Sequence, residues 1–234
     1  MWRFSLGFLL ALGLSAQAPR PVLVELFTSE GCSSCPPSDE VLRQLEAQSP
    51  PGVEVIALGL HVDYWDHLGW KDRFSDAAFT ARQTVYAHAF HQSSVYTPEM
   101  VVDGRVGFVG STEGTVLEVI REAAKQPTVP IELKVNDGAL NIHLPDLSAL
   151  QGAKLWLAIT EDGLSSVVQS GENGGRRLLH AAVTRRLQAL GIPRDATLPL
   201  EFPSAWHRHH LHAVVFAQDE ASLVILGAAS IALK

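Results

Sequence analysis

Two cysteines separated by two residues form the pattern with the clearest chemical potential in this sequence. Cys32 and Cys35 are the only cysteines, and they follow the apolar run 22–27 and precede the segment 36–45. This order predicts a strand, a turn and a helix that opens on the first cysteine. The positive end of a helix stabilises a thiolate, so we expect the pKa of Cys32 to lie below its ordinary value of about 8.5. Cys32 is then the nucleophile, and Cys35 resolves the mixed disulfide.

Two other interpretations of the cysteine pair stay open. A structural disulfide that closes a ring of about four residues contributes only about 2 kcal/mol through loop-closure entropy, so it would stabilise the fold little. The pair can also be half of a copper or zinc site, with Cys32, Cys35 and His61 as ligands. A tetrahedral site needs four ligands, and the sequence has no second cysteine pair. Redox chemistry is therefore the favoured hypothesis.

Four further residues are candidates for roles beside the cysteines. Glu25, on the strand that leads to them, can exchange a proton with Cys35 if both are buried together. His61 follows the next predicted strand, and the carboxyl ends of parallel strands meet at the active end of such sheets. Tyr64 and Trp65 belong to an aromatic segment that either binds an unfolded peptide or forms a small core of its own.

Length and composition limit the class of protein. With 234 residues and 47% hydrophobic content, the chain can bury a substantial core and form two modest domains. The formal net charge of −7 gives no overall attraction to nucleic acid. The sequence contains no glycine-rich phosphate loop, and we expect no cofactor.

The N-terminus has the pattern of a secretory signal peptide over residues 1–18. Arg3 precedes the apolar stretch 4–14, and Ala16-Gln17-Ala18 provides a small-residue cleavage site. The apolar stretch is too short to span a bilayer. We therefore expect a periplasmic or secreted protein that has no membrane contact after cleavage, in a compartment where disulfides persist.

The remaining pattern predicts two domains. Residues 19–127 have the order β-α-β-α-β-β-α, which is typical of an α/β domain, with an aromatic loop and a helix inserted between strands. Residues 128–234 contain about seven short alternating strands separated by turn sequences, which favours an all-β, β-sandwich-like domain.

Three sequence segments carry a resemblance to a known family. The sequence ELFTSEGCSSCPP at 25–37, HVDYWD at 61–66 and YTPEM at 96–100 resemble a widespread family of secreted bacterial proteins, a domain of unknown function with a thioredoxin-like fold. The resemblance implies that a cis-proline loop at Pro98 faces the attacking and resolving cysteines. A cis peptide between Thr97 and Pro98 would leave the preceding backbone free to pair with an extended substrate.

These observations together predict an exported thiol–disulfide oxidoreductase or redox-linked protein. Its partners would be protein or small-molecule thiols and disulfides, with Thr97, Tyr64 and Trp65 contacting the substrate. Two alternatives remain: a metal chaperone that uses the cysteines and His61, or a non-catalytic binding module.

Overall fold

The structure, a computed structural model, describes residues 18–233. The predicted signal peptide, residues 1–18, lies outside the described residues except for Ala18. None of the helices in the described part of the chain has the length and apolarity needed to cross a membrane.

The first half of the chain has the predicted order β-α-β-α-β-β-α. Its elements are β1 (Arg20–Thr28), α1 (Pro36–Ala47), β2 (Val53–His61), α2 (Ala77–Ala89), β3 (Glu99–Val102), β4 (Val106–Phe108) and α3 (Glu113–Ala123).

Helix α1 begins four residues later than predicted. The prediction that it opens on Cys32 is wrong, because Cys35 is the N-cap and Pro36 and Pro37 occupy the first turn. Proline is favoured there, since its fixed φ suits a helix and its missing N–H has no partner in the first turn. Cys32 lies in the preceding turn, where its N–H donates to the Ser29 carbonyl at 3.1 Å.

The second half consists of strands joined by turns and two one-turn 3₁₀ segments. The strands are β5 (Glu132–Asn136), β6 (Ala139–His143), β7 (Ala153–Glu161), β8 (Ser165–Val167), β9 (Arg177–Leu179), β10 (Val183–Leu190), β11 (Asp195–Pro199), β12 (Leu211–Asp219) and β13 (Ile225–Ala232). The short β8–β9 hairpin was not predicted from the sequence.

One mixed sheet of eight strands runs through both halves, in the order β13-β12-β7-β10-β2-β1-β3-β4. Strand β10 joins β2 in parallel at Val183 and Gly59. Gly59 donates to the Ala182 carbonyl at 2.7 Å, and a methyl group at Gly59 would lie 3.0 Å from the Ala181 carbonyl oxygen. The absence of a side chain therefore permits this junction. The predicted boundary at residue 127 does not separate two sheets, so a free-standing β-sandwich is wrong.

Three apolar clusters fill the space on the two faces of this sheet. Helices α1 and α3 cover one face of β1 and β2, while α2 packs on the opposite face. On the α1 side, the small sheet β11-β6-β5 packs against β7, β12 and β13. The predicted sheet-on-sheet packing is thus present, but one of its layers is the main sheet. The cysteine turn leads into α1, at the carboxyl ends of β1 and β2.

Candidate redox site

The two cysteines form a disulfide in the turn between β1 and α1. Their Cα atoms are 5.4 Å apart, and the Cys35 N–H donates to the Cys32 carbonyl at 3.2 Å. Cys35 is the N-cap of α1, so the disulfide lies at the positive end of that helix, where a thiolate formed on reduction is stabilised.

Both cysteines are fully buried, with 0% of either residue exposed. The role of Cys32 as the attacking thiol concerns the reduced protein and stays a prediction. The segment that connects β8 and β9, residues 168–176, contacts the cysteine turn, and we call it the cap loop. It comes from the second half of the chain and lies over the cysteine turn.

The cap loop contacts the backbone of the cysteine turn through two neighbouring side chains. Glu172 accepts a hydrogen bond from the Ser33 N–H at 3.0 Å. The amide of Asn173, itself fully buried, donates to the carbonyl oxygens of Glu30 and Cys32, both at 2.9 Å. The Ser170 hydroxyl of the cap loop also donates to the Gly69 carbonyl. Hydrogen bonds of this kind stabilise by about 1 kcal/mol each, so the four together hold the cap loop closed without fixing it permanently.

Trp65 connects the cysteine turn with the loop that contains Pro98. Its indole N–H donates to the Thr97 hydroxyl at 2.8 Å, and the Thr97–Pro98 peptide bond is cis. A methyl group placed on Gly31 would lie only 3.2 Å from the Trp65 Cβ, so the turn and the base of the Trp65 side chain are in close contact. Trp65 therefore holds the two loops together, as expected for residues of one site.

Tyr64 points away from this contact and toward α2. Its hydroxyl donates to the Gln83 side chain at 3.2 Å, and burial raises the pKa of Tyr64 to about 12. Tyr64 and Trp65 are both partly buried against the core on the α2 side. Of the two predicted substrate contacts in the aromatic segment, only Trp65 touches the cysteine turn.

A buried group of ionisable side chains lies beside the cysteine turn, at the ends of β1 and β2. His61 forms an ion pair with Asp72, 2.6 Å between Nδ1 and Oδ2, and the same Asp72 oxygen accepts the Glu30 N–H at 2.9 Å. Glu30 also accepts from the Trp70 indole at 2.7 Å and lies 3.3 Å from His180. Two buried acid–imidazole pairs, His61–Asp72 and His180–Glu30, therefore lie beside the cysteine turn.

In the His61–Asp72 pair, each group shifts the pKa of the other, and the two shifts have opposite signs. Burial disfavours the charged form of Asp72, but the His61 imidazole outweighs this and keeps the pKa of Asp72 below its usual value. Burial alone would lower the pKa of His61, yet Asp72 raises it above the ordinary value. Burial would raise the pKa of Glu30, but the neighbouring His180 ring outweighs this and keeps that pKa low.

Asp39 is the third carboxylate of this group and lies within helix α1. It follows Cys35 by four residues in α1, which puts the two side chains on one face of the helix. Its carboxylate accepts from the Thr28 hydroxyl at 2.8 Å, and burial raises the pKa of Asp39. Among the described residues, no hydrogen bond from a cationic side chain compensates it, which suits a group that holds a proton.

Glu25 does not lie with the cysteines, and its predicted role as a proton acceptor for Cys35 is wrong in this structure. Strand alternation puts Glu25 on the α2 face of the sheet, together with Leu23 and Phe27. There it forms a two-point ion pair with the buried Arg82, with the second oxygen at 3.0 Å, and also accepts from a tyrosine hydroxyl.

The arrangement around His61 gives no support to a metal site. His61 does lie at the predicted end of the sheet, on the α1 face, but its Nδ1 is taken up by Asp72. No group of three or more His, Cys, Asp or Glu side chains is arranged to hold a metal ion within residues 18–233.

Sequence reasoning missed most of the surroundings of the disulfide. Glu30 and Asp39 stand close to the cysteines in the sequence, and this nearness was the one local signal for the buried ionic group. Glu172 and Asn173 stand in a glycine-rich stretch, 171–175, whose pattern indicates a turn and no chemistry. Their contact with the cysteine turn spans about 140 residues and has no local pattern.

Fold and site define a mixed α/β protein with a buried CxxC disulfide at a helix N-terminus. The chain belongs to the DUF1223 family, described as a protein of unknown function, and the match covers residues 23–218. The predicted membership of a family of unknown function is thereby confirmed. None of the curated proteins matches this chain.

Two solved structures share the fold. Protein AGR_C_4864 from Agrobacterium tumefaciens superposes with a TM-score of 0.75 at 27% identity, over 94% of this chain and 97% of that chain. HBP35 of Porphyromonas gingivalis has a TM-score of 0.64 at 15% identity, over 93% of this chain and 76% of that chain. The second likeness concerns the fold alone.

Proposed function

We propose that this protein is an exported thiol–disulfide oxidoreductase whose reactive group is the Cys32–Cys35 disulfide. The observation that carries the proposal is the position of that disulfide, in the turn that ends at the N-cap of α1. A helix N-terminus lowers thiol pKa values, which makes a disulfide easier to reduce and a thiolate a better leaving group.

The order of the elements around the disulfide adds support. Strands β2-β1-β3-β4 are adjacent, with β1 and β2 parallel and β3 antiparallel to β1, and the helices lie on both faces. This is the arrangement expected of a thioredoxin-like core. The loop of Thr97 and Pro98, held to the turn by Trp65, corresponds to the substrate loop of such folds.

The reaction requires only thiols and one disulfide. A substrate thiolate attacks the Cys32 sulfur, the bond between the two cysteine sulfurs breaks, and Cys35 leaves as a thiolate. A second substrate thiolate then attacks the mixed disulfide, so that the substrate becomes a disulfide and Cys32 is released as a thiolate. The reverse sequence reduces a substrate disulfide, and the direction follows from the relative reduction potentials.

Asp39 supplies a proton-holding group for this reaction. The Cys35 thiolate that leaves in the first step needs a proton, and Asp39 lies on the same helix face one turn away. Because burial raises its pKa, this carboxyl stays protonated at higher pH than an exposed aspartate. Asp39 thus takes the role that the sequence suggested for Glu25.

The predicted signal peptide supports a periplasmic or secreted location, where a CxxC disulfide persists between turnovers. Substrates are protein or small-molecule thiols and disulfides.

Trapping of a mixed disulfide tests the proposal. A Cys35→Ser variant leaves Cys32 without its resolving partner, so Cys32 attacks a disulfide probe and stays bound to one half of it. We expect a stable adduct with Cys35→Ser and a transient one with the wild type. Equal, slow adduct formation at Cys32 and at a free thiol in unfolded protein would contradict the proposal.

A further inference from the structure

The backbone of the cysteine turn presents both kinds of hydrogen-bonding group toward the cap loop. The carbonyl oxygens of Glu30 and Cys32 accept, and the N–H of Ser33 donates. All three are satisfied by Glu172 and Asn173. When the cap loop leaves, the three groups need another partner that offers a donor and an acceptor side by side.

The two cap-loop side chains reproduce the hydrogen-bonding capacity of a peptide unit. The Asn173 amide acts as an N–H donor, and the Glu172 carboxylate acts as an oxygen acceptor. An extended polypeptide presents N–H and C=O groups along the same edge, which is how peptides bind to exposed backbone edges. The surface beneath the cap loop is therefore complementary to extended polypeptide backbone.

The cap loop is built to be displaced. From Gln169 to Arg176 it consists of polar residues and glycines, and of these only Asn173 is buried. Gly171 and Gly175 have positive φ values of 75° and 82°, which a glycine adopts without strain. Val168, at the start of the cap loop, is buried in the core, whereas residues 169–176 place no apolar side chain there. Opening of 169–176 about Val168 therefore exposes little hydrophobic surface.

Burial of the disulfide makes displacement necessary. In the structure, where the cap loop contacts the cysteine turn, both cysteines are 0% exposed, and an attacking thiolate cannot reach the Cys32 sulfur. A partner that forms the same three hydrogen bonds with the cysteine turn compensates for the free energy lost when Glu172 and Asn173 leave. A small thiol forms no such hydrogen bonds and gives no compensation.

We propose that the cap loop occupies the substrate-binding position on the cysteine turn. The substrate is an extended polypeptide segment that bears a cysteine. On binding, this segment displaces Glu172 and Asn173 from the turn. This inference rests on the proposed function and specifies its substrate class. In the covalent step, the peptide thiolate attacks the Cys32 sulfur, Cys35 leaves as a thiolate, and a mixed disulfide joins Cys32 to the peptide.

The test uses the oxidised protein and two probes, a short flexible peptide with one cysteine and the same peptide with serine instead. The first variant combines Glu172→Ala and Asn173→Ala. Its matched control combines Glu118→Ala and Asn136→Ala, which remove an exposed glutamate and asparagine elsewhere. The rate of disulfide cleavage is followed with dithiothreitol and with the cysteine peptide, and hydrogen exchange is measured at the Ser33 amide.

With the cap-loop contacts removed, we expect dithiothreitol to cleave the disulfide about tenfold faster or more, because hydrogen bonds that closed the site are gone. The control variant should behave like the wild type. The Ser33 amide should exchange faster in the variant, and the serine peptide should slow that exchange again. The same peptide should inhibit cleavage by dithiothreitol competitively, at lower concentration in the variant than in the wild type.

Two results would overturn the inference: a serine peptide that leaves Ser33 exchange unchanged in the variant, or a cysteine peptide that reacts no faster than a small thiol of equal pKa. The redox function would survive either result if the variant disulfide still exchanged readily with dithiothreitol. Failure of the variant to exchange with any thiol would instead reject the proposed function itself.

Discussion

The side-chain amide of Asn173 donates a hydrogen bond of 2.9 Å to the carbonyl oxygen of Cys32, 141 positions earlier in the chain. This contact joins the two halves of the protein at the point where the chemistry would occur. It explains why the second half belongs to the site: the strands of that half extend the main sheet, and their hairpin covers the disulfide.

The close contact between Gly31 and Trp65 predicts a specific cost of a larger side chain. In Gly31→Ala, the new methyl group would lie 3.2 Å from the Trp65 Cβ, so the cysteine turn or Trp65 must shift by a few tenths of an ångström. We expect a loss of about 1–2 kcal/mol in the free energy of unfolding and slower disulfide exchange. Chemical denaturation and a thiol-exchange assay measure both quantities.

Gly114→Ala is the matched control, because a methyl group there meets nothing within 4 Å and the residue lies in α3. It should leave exchange unchanged and stabilise the helix by up to about 1 kcal/mol. Equal exchange rates in Gly31→Ala and Gly114→Ala would contradict the role given to Trp65.

The ion pair of Glu25 and Arg82 predicts an effect on stability that is separate from redox chemistry. Glu25→Gln leaves the buried Arg82 guanidinium without its counter-charge, and removal of one partner of a buried pair costs about 3 kcal/mol or more. The pH dependence of thiol alkylation in the reduced protein should stay as in the wild type. A changed alkylation profile with unchanged stability would return Glu25 to the redox site. Glu118→Gln, an exposed change, serves as the control.

The raised pKa of His61 predicts that stability falls as the pH rises. Asp72 stabilises the protonated imidazole, so this contribution is fully present below pH 6.5 and is lost as the pH passes the folded pKa of His61. We expect the free energy of unfolding to decline over that interval, and to decline less in His61→Gln. The half-buried His212 has a shift of the same sign, so the difference between variant and wild type is the relevant quantity.

His67→Gln provides the comparison for this measurement, because His67 is exposed. It should retain the wild-type pH dependence. If His61→Gln and His67→Gln show the same dependence, the His61–Asp72 pair is not ionised as described.

The position of Asp39 predicts that its replacement changes the titration of the Cys35 thiol in the reduced protein. In Asp39→Asn the amide still accepts from Thr28, but no carboxylate can form near Cys35. We expect a lower pKa for Cys35 and one fewer ionisation in the pH profile of alkylation of the reduced protein. The raised pKa of Asp39 means that its ionisation is less favourable in the folded than in the unfolded protein, which lowers stability at neutral pH. Asparagine does not ionise, so the free energy of unfolding at neutral pH should rise. An unchanged alkylation profile would contradict a proton-holding role, and Asp137→Asn, in an exposed turn, is the control.

The sequence was sufficient for the local parts of the fold. Hydrophobic alternation and turn residues predicted the order of elements through α3 and most strands after it, because these signals lie within short windows. Pairing between β10 and β2 could not be inferred, since it depends on a close approach at Gly59 that no periodicity records. The separate β-sandwich was predicted for that reason.

The residues of the candidate site likewise divide into those that local sequence patterns mark and those that only the tertiary fold brings together. The CxxC spacing marked Cys32 and Cys35, and the resemblance to a known family marked Thr97 and Pro98. The strand position of Glu25 was visible, but which face of the sheet it occupies depends on register. Glu172 and Asn173 reach the cysteine turn only through the tertiary fold.

The reduction potential of the Cys32–Cys35 pair tests the central claim most directly. The protein is equilibrated with glutathione buffers of graded potential, and the oxidised fraction is read by thiol labelling after acid quench. The account predicts a potential above about −300 mV, so that the pair interconverts between disulfide and dithiol within the range of these buffers. A pair that stays fully oxidised in the most reducing buffer, in the wild type and in the variant without Glu172 and Asn173, would be a structural disulfide and would contradict the account.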